Sequence, residues 1–115
     1  MEIQIATRAD IRIAALQGDV NASTAAEIQR YMLPFATTGE KIVLDFTQVS
    51  YMSSAGLRML LSLYRQAAAK QGRLVLVGLS DNIRDTMSMT GLLNYFTTCE
   101  NLDAGLAILG WSASC

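Results

Sequence analysis

The chain has 115 residues, of which 51% are hydrophobic and 17% are charged. These values predict one folded domain, residues 1–115, with a single core. Nine basic and ten acidic residues leave a formal charge of −1, and they form no basic stripe of the kind that a nucleic-acid-binding domain carries.

Several functional classes are excluded or disfavoured by the residues that are missing. The sequence contains no histidine, which excludes hydrolases of the Ser–His–Asp and Cys–His types. Cys99 and Cys115 are too few for a disulfide scaffold or an ordinary zinc site. No glycine-rich phosphate loop and no membrane-length apolar run is visible. These absences disfavour an enzyme, and we expect a cytoplasmic protein without cofactor, metal or membrane span.

The N-terminal third predicts two strands and a helix. Apolar residues alternate with polar ones around Ile3–Ile5 and again over Ile11–Leu16, with a turn at residues 7–10. A loop rich in turn residues follows at 18–24. Ser23 or Thr24 is predicted to cap the helix, because Glu27 lies at capping-box spacing from Thr24. Pro34 is expected in the last turn or at a kink, and the predicted buried side consists of Ile28, Met32 and either Phe35 or Tyr31.

The centre of the chain predicts a βαβ unit. Strand Ile42–Phe46 is followed by a helix over Ser54–Gln71 and a strand over Leu74–Val77, so the two strands should be parallel with a right-handed crossover. Gly72 suits the left-handed position that ends a helix. The predicted buried face of the helix consists of Leu57, Leu60, Leu61, Tyr64 and Ala68.

The C-terminal third predicts two helices and a short strand. A helix over Asp81–Met89 should stop at Gly91, a strand is expected near Tyr95–Thr98, and Asn101 should cap a helix over Leu102–Leu109. Met59 is predicted in the core, and residues 110–115 are expected to be loosely held. Together the elements predict a mixed α/β fold in which an N-terminal hairpin extends a largely parallel sheet.

The segment Tyr51–Leu57 joins the central strand to its helix. Ser53 and Ser54 lie where the first backbone N–H groups of the helix have no partner within it. One of these hydroxyls can simply cap the helix. A phosphate added there would also be tolerated electrostatically and would change the surface charge. A hydroxyl at this place can therefore act as a regulatory switch.

This junction carries a family resemblance. Leu44–Phe46 and Met52–Leu57, with the preceding loop Leu16–Thr24 and the C-terminal segments Leu74–Ser80 and Thr90–Leu92, resemble the STAS domain and most closely the bacterial anti-sigma factor antagonists. The resemblance implies a mixed sheet of four or five strands with about four packed helices. It also implies that Ser54 is phosphorylated, with Ser53 as the alternative acceptor.

The resemblance implies a partner-switching cycle. The unphosphorylated protein would bind an anti-sigma factor and free its sigma factor. That anti-sigma factor would be a serine kinase with a histidine-kinase-like ATPase fold, and a metal-dependent serine phosphatase would reverse the modification. The implied partner-binding residues are Asp19, Asn21, Thr24, Ser53, Ser54, Gly56 and Arg58.

Two residues depart from the family pattern. Ser53 and Asn21 stand where the family commonly has aspartate, so contacts that rely on acidic residues there are in doubt. This leaves room for an alternative, a STAS scaffold subunit of a larger regulatory or transport assembly that is never phosphorylated. A monomer or a weak dimer, formed through an exposed strand edge or methionine patch, is expected.

Overall fold

The computed structural model describes residues 1–110. The prediction for the tail beyond Gly110 concerns residues outside this range. In the described part, strands and helices follow one another in the order β1 (Glu2–Arg8), β2 (Ile11–Gln17), α1 (Ala22–Thr37), β3 (Lys41–Gln48), α2 (Ser54–Ala69), β4 (Arg73–Val77), α3 (Asp81–Met89), a 3₁₀ turn (Leu92–Tyr95), β5 (Thr97–Cys99) and α4 (Leu102–Ile108).

The strands form one five-stranded sheet in the spatial order β1-β2-β3-β4-β5. The β1–β2 pair is antiparallel, and β2 through β5 pair in parallel. The predicted hairpin extending a parallel sheet is therefore confirmed, as is the mixed sheet with four α-helices. Because β2, β3 and β4 run in the same direction, the loops that follow them emerge at one edge of the sheet.

Both faces of the central strands are buried. Ile42, Leu44 and Phe46 of β3 point into the larger core, which packs against α1, α2 and α3. Val43 points to the opposite face and joins a smaller cluster with Leu106 of α4. Successive side chains of a strand face opposite sides of the sheet, so these continuous apolar strands are what a sheet covered on both faces requires.

Helix α1 is capped two or three residues earlier than predicted. Asn21 is the N-cap, and its side chain and that of Thr24 each accept a hydrogen bond from the other's backbone N–H. The predicted caps Ser23 and Thr24 are therefore wrong, because both residues already lie in the first turn. Ile28 and Met32 are buried as predicted. Phe35 is only partly buried, and Tyr31 is 50% exposed.

The buried face of α2 differs from the prediction at its later turns. Leu57 and Leu60 are buried as predicted, whereas Leu61 and Tyr64 are partly buried and Ala68 is exposed. The helix instead buries residues on a slightly rotated stripe, namely Met59, Leu63 and Ala67 in addition to Gly56, Leu57 and Leu60.

The end of α2 does not use its glycine as predicted. Gln71 adopts the left-handed conformation with φ 60°. Gly72 instead allows a close approach, since a Cβ atom there would lie 2.9 Å from the carbonyl oxygen of Glu40. Pro34 lies inside the last turn of α1, and Gly91 is left-handed with φ 77° just after α3, as predicted.

The C-terminal elements follow the prediction with shifted boundaries. Asn101 caps α4, accepting a hydrogen bond of 2.9 Å from the backbone N–H of Ala104. The last strand begins at Thr97 because a 3₁₀ turn occupies the residues before it. Met59 and Met87 are buried, whereas Met89 is 87% exposed.

Candidate functional site

The loops that follow β2 and β3 are joined by backbone hydrogen bonds. Val20 and Met52 form an isolated parallel β-bridge. The N–H of Val20 donates to the carbonyl of Tyr51 at 2.9 Å, and the N–H of Ser53 donates to the carbonyl of Val20 at 2.7 Å. Both bridge residues are buried. The bridge therefore fixes the start of α1 and the start of α2 next to each other at the same edge of the sheet.

Ser54 is the first residue of α2 and its side chain is exposed. The helix behind it is held firmly, because Leu57, Leu60 and Leu63 are buried in the larger core. No acidic residue lies in the first turn of α2. The hydroxyl of Ser54 is thus presented at the positive end of a helix dipole without a neighbouring carboxylate in that turn.

Ser53 occupies the N-cap position of α2 but does not cap the helix with its side chain. Its backbone is extended, with φ −79° and ψ 173°. Its hydroxyl oxygen is buried and has no hydrogen-bond partner among the described residues. The N-cap side chains of α1, α3 and α4, by contrast, each accept a hydrogen bond from a first-turn N–H. The two adjacent serines therefore have opposite environments.

Gly56 permits the close packing of the bridge against α2. A Cβ atom at this position would lie 2.4 Å from Cγ of Met52 and 2.8 Å from Cγ1 of Val20. Distances below 3.0 Å require a neighbour to move. Gly56 is itself buried. Gly56, a predicted site residue, therefore lies beneath the surface, where its lack of a side chain lets the two loops approach α2 closely.

The remaining predicted residues divide into exposed and structurally engaged groups. Asp19, Asn21 and Arg58 are exposed. Thr24 is engaged within its own loop: its hydroxyl donates to the carbonyl of Asp19 at 2.8 Å and accepts from the N–H of Asn21 at the same distance. The bridge brings the first-loop residues and the two serines to one edge, and Arg58 follows one turn along α2.

The sequence did not reveal two parts of this edge. One is the Val20–Met52 bridge, for which the only signal is a single β-branched aliphatic residue, Val20, in a polar loop. The other is a groove of about 130 Å³ between the loop before α2 and helix α3. Tyr51, which is 53% exposed, and Thr86 contribute to its walls.

Residues 1–110 contain neither a metal-binding cluster nor a membrane-spanning helix. In that part of the chain, no three Cys, Asp or Glu side chains are arranged to hold a metal ion. No helix there has the length and apolar character needed to cross a bilayer.

Comparison with known proteins gives consistent matches. The model of the STAS domain family matches residues 2–105. The chain is 35% identical over 96 residues to BtrV of Bordetella bronchiseptica, which is named for anti-sigma factor antagonism, covering 83% of each chain. It is 36% identical over 77 residues to the anti-sigma-B factor antagonist of Listeria monocytogenes, covering 65% of this chain and 67% of that protein.

The fold also matches solved structures of SpoIIAA. The unphosphorylated form of this anti-sigma factor antagonist aligns with a TM-score of 0.76 at 18% identity, covering 96% of this chain and 100% of SpoIIAA. The phosphorylated form, from Bacillus, aligns with a TM-score of 0.73 at 20% identity, covering 93% and 99%.

The mixed sheet, the bridged loops and the serine-bearing start of α2 make up one small α/β domain. The chain belongs to the STAS domain family, and its relatives by sequence are anti-sigma factor antagonists.

Proposed function

We propose that this chain binds an anti-sigma factor when unphosphorylated and is released when Ser54 is phosphorylated. The observation that carries the proposal is the exposed position of Ser54 at the start of a helix anchored in the core. A serine that is a kinase substrate needs no catalytic groups of its own, since the kinase supplies ATP, metal and base. It needs accessibility and a fixed position, and Ser54 has both.

The contrast between the two serines supports Ser54 over Ser53 as the phosphoacceptor. The Ser53 hydroxyl oxygen is buried, so an incoming γ-phosphate would reach it only after the helix start had moved. A phosphate on Ser54 would lie in solvent beside the free N–H groups of α2. Those groups and the helix dipole favour such a charge by roughly 0.3–1 kcal/mol at an exposed site, and Arg58 is available for a charge-assisted contact.

Release follows from charge rather than unfolding. A phosphoserine carries about −1.5 to −2 charges at neutral pH. Bringing that charge against an interface that accepted a neutral hydroxyl can cost several kcal/mol, and about 1.4 kcal/mol changes affinity tenfold. The fold itself tolerates the group because the larger core lies behind α2 and does not include the Ser54 side chain.

The proposed docking surface consists of Asp19, Asn21, Ser54 and Arg58. All four are exposed, and the Val20–Met52 bridge holds their two loops together. Thr24, Ser53 and Gly56 belong to the same site as residues that shape it. The partner we propose is an anti-sigma factor that is also the serine kinase, with a histidine-kinase-like ATPase fold. A metal-dependent serine phosphatase would restore the binding form. In this cycle the chain itself catalyses nothing.

The direct test is phosphate incorporation with ATP and the candidate anti-sigma kinase. We expect incorporation into the parent and into Ser53→Ala, and none into Ser54→Ala, with the site located by fragment mass spectrometry. In a separate binding measurement, Ser54→Asp should weaken the complex at least about tenfold. Its denaturant unfolding midpoint should stay that of the parent.

Three results would contradict the proposal. Incorporation that persists in Ser54→Ala would move the acceptor elsewhere. Loss of the fold in Ser54→Asp would show that charge at this position acts on stability. Stable co-purification with a large assembly, with no incorporation under any condition, would support the unphosphorylated scaffold subunit instead.

A further inference from the structure

The free edge of the sheet is formed by β1, a strand of seven residues. Its inner side pairs with β2 along its full length and without a register shift. Its outer side has no strand partner in the described part of the chain, since β1 is the terminal strand of the sheet. Natural edge strands are usually shortened, bulged, or protected with lysine or proline. β1 has no bulge, lysine or proline, and its two charged residues, Glu2 and Arg8, lie only at its ends. The opposite edge strand, β5, has only three residues.

The side chains of β1 are divided between the two faces of the sheet. Ile3 and Ile5 lie opposite Leu16 and Ala14 of β2, which face the larger core. Ile3 packs against that core, but Ile5 remains 41% exposed. An apolar, β-branched residue therefore lies uncovered at the middle of an unprotected edge.

The sequence of β1 is complementary to itself when it is reversed. Two copies placed antiparallel about a two-fold axis through Ile5 overlap along all seven residues. In this register Glu2 of one copy lies opposite Arg8 of the other, at both ends of the pairing. Ile5 lies opposite Ile5 and Ile3 opposite Thr7. Opposite charges and β-branched pairs in directly facing positions stabilise a strand pair. Arginine has five donors, so this contact leaves room for others made by Arg8.

We propose that β1 is a self-association surface through which two copies of this chain form a continuous ten-stranded sheet. The two-fold axis is perpendicular to the sheet, so the helices α1 and α2 of both copies lie on the same face. The contact is isologous and closed, which gives a dimer and no filament. An interface built on one strand pair is small, so the dimer is weak and depends on protein concentration.

The test compares two isoleucines of similar exposure. Ile5 is 41% exposed on β1, and Ile108 is 46% exposed on α4, which packs on the opposite face of the sheet from the Ile5 side chain. In sedimentation velocity over a concentration series, the parent should dimerise. Ile5→Lys should weaken dimerisation roughly tenfold or more, and Ile108→Lys should leave it unchanged. Circular dichroism checks that both variants are folded.

The register is tested by exchanging charges. Glu2→Arg and Arg8→Glu each place like charges opposite one another twice, so each variant alone should dimerise roughly tenfold more weakly. An equimolar mixture of the two should associate again, because both contacts become complementary in the mixed dimer.

Crosslinking provides an independent measure in a Cys115→Ser background, where Cys99 is buried. Ile5→Cys places two thiols directly opposite, with Cα atoms about 4.5–5.5 Å apart, within the range of a disulfide. Gln4→Cys places them on a diagonal of about 7–8 Å, which is too far. Oxidation should therefore crosslink the first variant and spare the second. A parent that stays monomeric throughout, an Ile108→Lys effect equal to that of Ile5→Lys, or a preference for the Gln4→Cys crosslink would overturn the proposal.

Discussion

Val20 and Met52 are far apart in the chain but lie opposite each other in a parallel β-bridge. Its two backbone hydrogen bonds, of 2.9 and 2.7 Å, join Val20 to Tyr51 and Ser53, the neighbours of Met52. This contact couples the loop that starts α1 to the loop that starts α2. It explains how Asp19 and Asn21 come to lie beside Ser54, and it makes the packing around Gly56 a determinant of the site.

Adding one methyl group at Gly56 should damage both stability and partner binding. Gly56→Ala would press a Cβ atom against Met52 and the stiff Val20 side chain. Overpacking of this kind costs about 1–3 kcal/mol, and the helix propensity of alanine recovers at most about 1 kcal/mol. Urea unfolding measures the net loss. Met52→Ala removes the nearest contact, so the double variant should lose less stability than the sum of the two single variants. If the stability losses of the two single variants simply add in the double variant, the contact between position 56 and Met52 does not cause the loss in Gly56→Ala.

The two N-cap serines should respond differently to the same substitution. Ser80 accepts a hydrogen bond from the N–H of Ile83 at 3.3 Å, so Ser80→Ala should destabilise the protein by about 0.5–1 kcal/mol. The Ser53 hydroxyl is buried without a partner among the described residues, so Ser53→Ala should be neutral within about 0.5 kcal/mol or slightly stabilising. Equal losses in the two variants would mean that Ser53 caps α2 in solution.

The cap of α1 can be separated from any binding role of Asn21. Asn21→Ala removes the acceptor for the N–H of Thr24, a bond of 3.1 Å, and should cost about 1 kcal/mol. Asn21→Asp keeps an acceptor at the positive end of the helix and should match the parent in thermal unfolding. A large loss in Asn21→Asp would show that the cap requires the amide.

Acid should weaken the fold partly through Glu40. Hydrogen bonds from Arg12 at 2.8 Å and Thr38 at 2.9 Å hold the pKa of the Glu40 carboxyl below its ordinary value. Lys41 lowers the pKa of Asp10 in the same way. Because the unfolded carboxyl binds its proton first as the pH falls, the stabilisation is complete above the ordinary carboxyl pKa. It is lost as the pH drops through the lowered value.

The variant that isolates this effect is Glu40→Gln. Its free energy of unfolding should fall less steeply than that of the parent below about pH 4.5, as measured by urea unfolding at a series of pH values. In an Arg12→Met background the substitution should change the slope much less. If the free energy of unfolding depends on pH equally in the parent and in Glu40→Gln, the Arg12–Glu40 pair does not contribute to acid sensitivity.

Much of the fold could be read from local patterns. The β-branched run of β3, the turn residues at 18–24 and the cap Asn101 each act over a few residues, and local sequence patterns report such interactions well. The prediction failed at α1 because Asn21, Ser23 and Thr24 are all good caps. Only the turn of the preceding loop, fixed by the bridge at Val20, selects Asn21.

The residues of the proposed site come from motif register, which carries no information about the environment of each side chain. Motif register could point to Ser54, but it could not reveal that Ser53 turns its hydroxyl inward, since this depends on tertiary packing. Tertiary packing also explains why Gln71, and not Gly72 as predicted, adopts the left-handed conformation after α2. The glycine is needed where the turn after α2 passes the backbone of Glu40, and the left-handed conformation is adopted by Gln71 instead.

The core of this domain extends past the last residue that the family model matches, because α4 contributes buried residues beyond it. The family match ends at residue 105, but Leu106 and Leu109 are 0% and 3% exposed and cover Val43 and Val75 on the second face of the sheet. A polypeptide that ended at residue 105 would expose Val43 and Val75 to solvent, and such an apolar patch promotes aggregation. Truncations and C-terminal fusions of this protein should therefore preserve the chain through Leu109.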